Sequence, residues 1–210
     1  MTDKKRLRER VQELASRDWD LPAIEARFNR LAAEGIPKKV LNPAELIPKK
    51  EEILDRVQRR GEEYCYVTRN CAKGSATALL EEFGLGNMEI IRAMAPFPGI
   101  GMTGGICGPV TGGLIALSLY FSPQDLTHFQ DPTHYLAARR FTQRFEETLG
   151  SLLCPDIQET LLGKYYDPMA SLENLQAFDE AGARSKCPLA PGLGARIAAG
   201  IILEGMEGKL

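Results

Sequence analysis

Four cysteines of this 210-residue chain stand where the local sequence predicts the first turn of a helix. They are Cys71, Cys107, Cys154 and Cys187. A helix start carries unpaired backbone N–H groups and the positive end of the helix dipole, and both favour a thiolate over a thiol. Thiolates attack disulfides and bind soft metal ions. The shared context predicts that the fold directs several helix starts at one redox or metal site.

The residues beside each cysteine carry the signals of a helix start. Asn70 is a good N-cap ahead of Cys71, and Pro109 suits the first turn of a helix that follows Cys107. The last two cysteines are each followed directly by a proline. For any single cysteine the alternative is an ordinary small hydrophobic residue of the core. The repeated context favours a common role for the set.

The spacing of the four cysteines decides what kind of site they could form. They are separated by 36, 47 and 33 residues, and the chain contains no C-x-x-C pair of the kind found in zinc knuckles and ferredoxins. A common site therefore has to be assembled by the tertiary fold, with one ligand from each helix. Four thiolates suit an iron–sulfur cluster and, less specifically, zinc. A metal-free thiol–disulfide oxidoreductase or redox sensor, and a structural zinc subunit, remain open as alternatives.

The fifth cysteine and the two histidines stand outside this pattern. Cys65 lies six residues before Cys71, and we interpret it as a core or surface thiol rather than a ligand. His128 and His134 flank the helix start predicted at Asp131, far along the chain from every cysteine. We expect the histidines to have surface or capping roles.

A glycine-rich stretch from Pro96 to Pro109 precedes the second predicted site helix. Gly99 to Gly104 match the letters G-x-G-x-x-G, but a dinucleotide site needs a strand immediately before them and an acidic residue about twenty residues later. Here Ala95-Pro96-Phe97-Pro98 precedes the motif in place of a strand, and residues 114–121 contain no acidic residue. We expect the glycines to permit a tight path with positive φ beside Cys107, and to bring backbone N–H groups near its ligand.

Helical periodicity dominates the chain, and strand-like composition is confined to 64–68. The predicted helices are 4–15, 20–35, 51–60, 70–83, 87–95, 110–121, 131–149, 154–162, 172–181 and 193–206. The sequence therefore predicts an all-α, multi-helix domain over 61–210, preceded by a helical N-terminal extension over 1–60. The apolar stripe of Ile24, Phe28 and Leu31 could dock on a partner or fold back on the domain.

Composition and charge indicate the expected partners and cellular compartment. The formal net charge is −2, which does not favour nucleic acid or an anionic membrane as a partner. The charged start from Met1 to Arg10 is unlike a signal peptide, and the apolar run Leu114 to Phe121 is too short to cross a bilayer. We expect a cytoplasmic protein, where cysteines more often bind metal or react than form structural disulfides.

These cysteine contexts resemble the C-GCAxxG-C-C family of redox-active proteins. The resemblance covers about 61–205 and is carried by Asn70-Cys71-Ala72, by Cys107-Gly108-Pro109-Val110-Thr111-Gly112, and by the single cysteines Cys154 and Cys187. One departure is Pro109, which stands where the family has alanine. Proline is compatible with a helix start.

The resemblance implies redox activity in a bacterial or archaeal and often anaerobic setting. A related module occurs beside haem-binding segments in split-Soret-type cytochromes, but this chain has no C-x-x-C-H for covalent haem. We therefore expect an iron–sulfur redox protein with Cys71, Cys107, Cys154 and Cys187 as ligands, which exchanges electrons with a protein or enzyme partner. Zinc is the alternative metal. The apolar helix stripes are also compatible with a homodimer.

Overall fold

The computed structural model describes residues 4–123, 125 and 131–210. The helices are α1 (Lys4–Ala15), α2 (Leu21–Glu34), α3 (Pro43–Leu46), α4 (Lys50–Thr68), α5 (Cys71–Phe83), α6 (Met88–Ala93), α7 (Gly99–Met102), α8 (Gly108–Phe121), α9 (Thr133–Leu149), α10 (Cys154–Leu162), α11 (Leu172–Glu180), α12 (Ala183–Lys186) and α13 (Leu189–Met206). A short 3₁₀ turn, Ile47–Lys49, joins α3 to α4. The described part contains no β-strand, and the all-α prediction is confirmed. His128 lies outside the described residues.

The centre of the fold is the group α4, α5, α8 and α13, in which α13 packs against the other three and against α9. Small residues let these helices approach closely. A Cβ atom at Gly112 of α8 would overlap Ser75 Oγ and would lie 2.7 Å from the carbonyl oxygen of Ala72 in α5. This close approach places the start of α8 directly beside the start of α5.

One segment, Ala183–Met206, is long and apolar enough to cross a membrane by length and composition. In the fold, 67% of its most apolar window is buried. Packing of α13 against α4, α5, α8 and α9 accounts for that apolar composition.

The N-terminal helices fold back on the same core. Leu7, Val11 and Leu14 of α1 are buried with Ile24 and Leu31 of α2, in one hydrophobic cluster that also contains residues of α4, α5 and α13. Of the two alternatives for the apolar stripe of α2, the structure shows packing on the domain. The predicted domain boundary near residue 60 falls inside α4 and stays a prediction.

A buried carboxylate joins this N-terminal part to α4. Glu62 is 1% exposed, accepts a 2.7 Å hydrogen bond from Arg17 Nη1, and lies 3.6 Å from Arg10. Burial raises the pKa of Glu62 above its usual value, although hydrogen bonds from Gln58 and Arg17 act in the opposite direction. The ion pairs therefore offset part of the cost of burying this charge.

Two helix boundaries differ from the predictions. The strand-like residues 64–68 form the last turns of α4, because Tyr64 is buried in the core and its hydroxyl donates a 2.6 Å hydrogen bond to Glu81 of α5. The final helix begins at Leu189 rather than near residue 193. Pro191 lies in its first turn, where a missing N–H removes no intrahelical bond.

Candidate functional site

All five cysteines line one cavity of about 310 Å³. These are the four cysteines predicted to act together and, in addition, Cys65. All five thiols are free. Residues separated by more than 100 positions in the sequence therefore contribute to one thiol-lined site, as the helix-start argument predicted.

The start of α5 is fixed by its N-cap. Asn70 Oδ1 accepts a 3.0 Å hydrogen bond from the Lys73 N–H, and Asn70 Nδ2 donates a 3.0 Å hydrogen bond to the Ala95 carbonyl oxygen. The Asn70 side chain therefore caps the start of α5 and connects it to Ala95, directly before the glycine-rich stretch. Cys71, the first residue of α5, is held at the cavity wall.

A two-bond backbone pairing brings Cys107 and Cys154 together. The Cys107 N–H donates to the Leu152 carbonyl oxygen at 2.8 Å, and the Cys154 N–H donates to the Gly105 carbonyl oxygen at 2.9 Å. Cys107 is the N-cap of α8 and Cys154 is the first residue of α10. Two helix starts that are 47 residues apart in the chain therefore lie side by side.

Cys187 and Cys65 reach the cavity by other routes. Cys187 follows α12 and lies two residues before α13 begins. Cys65 lies three residues before α4 ends at Thr68 and packs against Gly74 of α5, where an added Cβ would lie 2.7 Å from the Cys65 Cβ. The short connection between α4 and α5 thus brings Cys65 near Cys71. Sequence reasoning set Cys65 apart because it does not begin a helix.

The glycine-rich stretch takes a left-handed path beside the thiols, as predicted. Positive φ angles occur at Gly99, Ile100, Gly101, Met102 and Gly104. The conformation is costly for a branched residue such as isoleucine. It is held by backbone hydrogen bonds within the loop, including one of 2.9 Å from the Gly105 N–H to the Gly99 carbonyl oxygen. The loop therefore forms a fixed wall of the cavity.

A glycine is also required next to Cys107. A Cβ atom at Gly108 would lie 2.5 Å from Cys71 Sγ and 2.7 Å from the Ala72 nitrogen. The Cys71 sulfur therefore packs against the first residue of α8, and any side chain at Gly108 would displace it.

The thiols differ in acidity because burial and neighbouring groups act in opposite directions. A hydrogen bond with Cys107 is the largest cause that lowers the pKa of Cys154 to about 7, and burial opposes it. Hydrogen bonds with Cys154 and Cys71, together with burial, hold the pKa of Cys107 well above its usual value. Burial likewise raises the pKa of Cys187. The low pKa values expected from helix starts are wrong for Cys107, whose neighbouring thiols and burial raise its pKa, and for Cys187, whose burial raises it.

Gln158 is a site residue that sequence reasoning missed. Its Nε2 donates a 3.5 Å hydrogen bond to Cys154 Sγ, and its Oε1 accepts a 2.9 Å hydrogen bond from the Tyr166 N–H. The first contact also lowers the pKa of Cys154. Gln158 follows Cys154 by four positions on one helix face, and this spacing is the signal that could have identified it.

The donors at the cavity are thiols, with no histidine among the lining residues of the part that the structure describes. Within the same residues, no three Cys, His, Asp or Glu side chains are arranged around a position for a single metal ion. His134 belongs to α9 and does not line the cavity. The donor set is therefore of the soft kind that suits thiophilic metals, without a preformed site for one ion.

Another part of the cavity lining is largely apolar. It is formed by α10, α11, α12 and the segment between α10 and α11, and it includes Ile157, Leu161, Tyr165, Pro168, Met169, Leu175, Phe178 and Ala183. Arg69 and Arg184 are exposed lining residues. The cavity thus combines a thiol-rich end with an apolar wall and two cationic side chains.

Comparison with known proteins identifies the same region. The family model described as "Putative redox-active protein (C_GCAxxG_C_C)" matches residues 69–201, a range that includes Cys71, Cys107, Cys154 and Cys187 but not Cys65. An "Uncharacterized protein" of Archaeoglobus fulgidus is 32% identical over 119 residues, which cover 52% of this chain and 79% of that protein. No solved structure matches the chain.

Proposed function

This chain belongs to the C_GCAxxG_C_C family of redox-active proteins, and on that premise we propose that it binds an iron–sulfur cluster for electron transfer. The proposed ligands are Cys71, Cys107, Cys154 and Cys187. The observation that carries the proposal is that these four cysteines, from separate elements, line one cavity. Four-cysteine coordination is the usual arrangement for clusters with two or four irons.

The donors suit an iron–sulfur cluster and, less specifically, zinc. A structural zinc site needs four ligands around one ion, with each sulfur about 2.3 Å from the metal. No three candidate ligands surround a single position in the described residues. A cluster distributes its cysteines over several irons, so it needs a wider set of thiols around a larger volume.

The surroundings of the thiols suit a redox centre. When bound, a cluster supplies one-electron transfer at a potential set by its type, its hydrogen bonds and its exposure. In this chain the amide of Gln158 donates to Cys154 Sγ, and buried Ile157 and Leu161 exclude water from the adjoining wall. Hydrogen bonds to ligand sulfur raise a cluster potential, and an apolar wall limits access of solvent. We propose that the electrons pass to a separate redox protein or enzyme in the cytoplasm.

One observation favours a second candidate, a metal-free thiol–disulfide oxidoreductase. Backbone hydrogen bonds hold Cys107 and Cys154 side by side, and the Cys107 thiol lowers the pKa of Cys154 to about 7. In that reaction the Cys154 thiolate would attack a partner disulfide, and Cys107 would then displace the partner's sulfur from the mixed disulfide. The partner leaves as a dithiol and the Cys107–Cys154 disulfide remains.

Anaerobic purification followed by iron, acid-labile sulfide and absorption measurements separates these candidates. The cluster proposal predicts iron and sulfide in the purified protein and visible absorption that decreases on reduction. Colourless protein that stays free of iron after reconstitution with iron and sulfide would contradict it. A reversible Cys107–Cys154 disulfide in such iron-free protein would support the oxidoreductase.

A further inference from the structure

The geometry points to a binding site for a small organic anion in the outer part of the thiol cavity. In this proposal an apolar body lies against α10 and α11, and an anionic group lies at Arg69 and Arg184. A role of this anion as the redox substrate rests on the function proposed above. Binding of the anion to the cavity does not depend on that function.

The cavity runs from buried thiols to solvent. Cys65 and Cys107 are buried, whereas Arg69, Leu175 and Arg184 are exposed, and all five residues line the same space. Its volume of about 310 Å³ lies at the lower end of the range for small-molecule sites, which is roughly 300–1,000 Å³. The outer part is therefore suited to a compact ligand rather than to a folded partner.

The wall of this outer part would receive an apolar group. Ile157 and Leu161 of α10 are buried and face the cavity, and Leu175 and Phe178 of α11 line it from another helix. Met102 of the glycine-rich stretch adds an adaptable side chain. Apolar and aromatic side chains with a few polar groups at the edge are typical of ligand pockets.

The polar groups at the edge are mainly cationic. Neither Arg69 nor Arg184 forms an ion pair with the residues that the structure describes, whereas Arg56 and Arg144 are paired with carboxylates elsewhere in the fold. The Arg184 guanidinium lies 4.7 Å from the centre of the Tyr66 ring, a cation–π contact. Asp179 is the single carboxylate among the described lining residues. Arginine binds carboxylate and phosphate groups through two parallel hydrogen bonds.

The backbone at Arg69 gives an independent reason to assign a role to its side chain. Arg69 ends α4 in the left-handed conformation, with φ 51° and ψ 34°. Helices that end in this way usually have glycine at the left-handed position, because other residues are strained there. An arginine at this position is not explained by backbone preference. A ligand contact of the guanidinium, at the edge of the cavity, explains it.

Helix dipoles add to the positive potential. Residues at the starts of α5, α10 and α13, namely Cys71, Cys154 and Pro188, line the cavity, so the positive ends of three helix dipoles lie beside it. Together with the two unpaired guanidinium groups they favour an anionic ligand over a neutral or cationic one.

The test uses two naphthalene probes that differ in charge. Isothermal titration calorimetry measures the binding of 2-naphthoate and of the neutral alcohol 2-naphthalenemethanol to the full chain prepared anaerobically. We expect one site per chain for 2-naphthoate and affinity about tenfold weaker for the alcohol. Absence of naphthoate binding, or equal affinity for both probes, would overturn the proposal.

Arginine variants locate the site. Arg69→Gly removes the guanidinium at a backbone position that glycine adopts freely, so this variant should fold as well as the wild type. Arg184→Gln removes the second guanidinium without a backbone change. Each should weaken 2-naphthoate binding about tenfold, whereas Arg92→Gln, at an exposed arginine outside the cavity, should leave it unchanged. Equal binding by all three variants would refute the assignment.

Iron content distinguishes failure of this proposal from failure of the proposed function. The arginine variants should keep the iron content of the wild type, because neither arginine is a proposed ligand. Loss of naphthoate binding at constant iron content supports the anion site. Tight naphthoate binding by wild-type protein that stays free of iron after reconstitution would also support the anion site, while the missing iron would contradict the cluster.

Discussion

The side-chain amide of Gln158 donates a hydrogen bond to the Cys154 sulfur across 3.5 Å. The two residues are one helical turn apart on α10, and the Tyr166 N–H holds the other end of the amide at 2.9 Å. The amide therefore has a fixed orientation, with its N–H group directed at the thiol. The spacing of four residues between Cys154 and Gln158 on α10 therefore affects the acidity of Cys154, one of the proposed ligands.

Removal of this amide should make Cys154 less acidic. We expect Gln158→Leu to raise the pKa of Cys154 and to slow its alkylation by iodoacetamide severalfold at pH 7 in metal-free protein, since the thiolate loses a donor. Peptide mass spectrometry measures the rate at Cys154 alone. Gln143→Leu, at an exposed glutamine of α9, is the matched control and should have no effect. Equal rates for both variants would exclude this role for Gln158.

Cys154 should also be distinguished from the other thiols by its pH dependence. Its pKa is lowered to about 7, so the reactive thiolate predominates above pH 7. In metal-free protein its alkylation rate should rise through pH 7 and level off near pH 8. Burial raises the pKa of Cys65 and of Cys187, so the alkylation rates of these two cysteines should still be rising near pH 8. A common pH profile for all three cysteines would contradict this order.

Two helix glycines have different surroundings, and we expect opposite effects on stability when each is replaced by alanine. Gly112→Ala would bring a methyl group against Ser75 and Ala72, and we expect it to lower the free energy of unfolding by about 1–3 kcal/mol. Gly200→Ala in α13 has its nearest neighbour at 3.9 Å and should raise stability by about 0.5–1 kcal/mol. Urea unfolding followed by circular dichroism measures both. A destabilising Gly200→Ala with a neutral Gly112→Ala would show that these helices pack differently.

Gly108→Ala should act on the site as well as on stability. Its added methyl group would lie 2.5 Å from Cys71 Sγ, so the sulfur has to move. We expect the iron content after anaerobic purification to fall well below that of Gly112→Ala, which crowds the same helix pair away from the sulfur. Equal iron content in the two variants would show that the position of Cys71 tolerates this change.

Local signals in the sequence predicted much of the site. Asn70 and Pro155 mark helix starts through short-range chemistry, and the structure places Cys71 and Cys154 at the first residues of α5 and α10. The positive φ angles of the glycine-rich stretch follow from the same kind of local argument. The family, which the residue contexts also predicted, is confirmed by the match over residues 69–201.

The remaining features depend on contacts that no local pattern contains. Cys65 is buried beside the other thiols because a short connection after Thr68 joins α4 to α5. Cys65 does not begin a helix, so helix-start signals do not identify it. The pairing of Cys107 with Cys154 depends on a backbone bridge between residues 106 and 153. The raised pKa of Cys107 follows from its contacts with Cys154 and Cys71 and from burial, and that of Cys187 follows from burial; both causes become known only with the tertiary fold.

The iron content of Cys107→Ser compared with that of Cys65→Ser tests the central claim most directly. Both side chains are buried in the same cavity, so the two variants make the same chemical change in similar surroundings. With Cys107 as a ligand and Cys65 as a neighbour, anaerobically purified Cys107→Ser should lose most of its iron and visible absorption, while Cys65→Ser keeps both. Iron retained by Cys107→Ser and lost from Cys65→Ser would contradict the assignment of the four ligands.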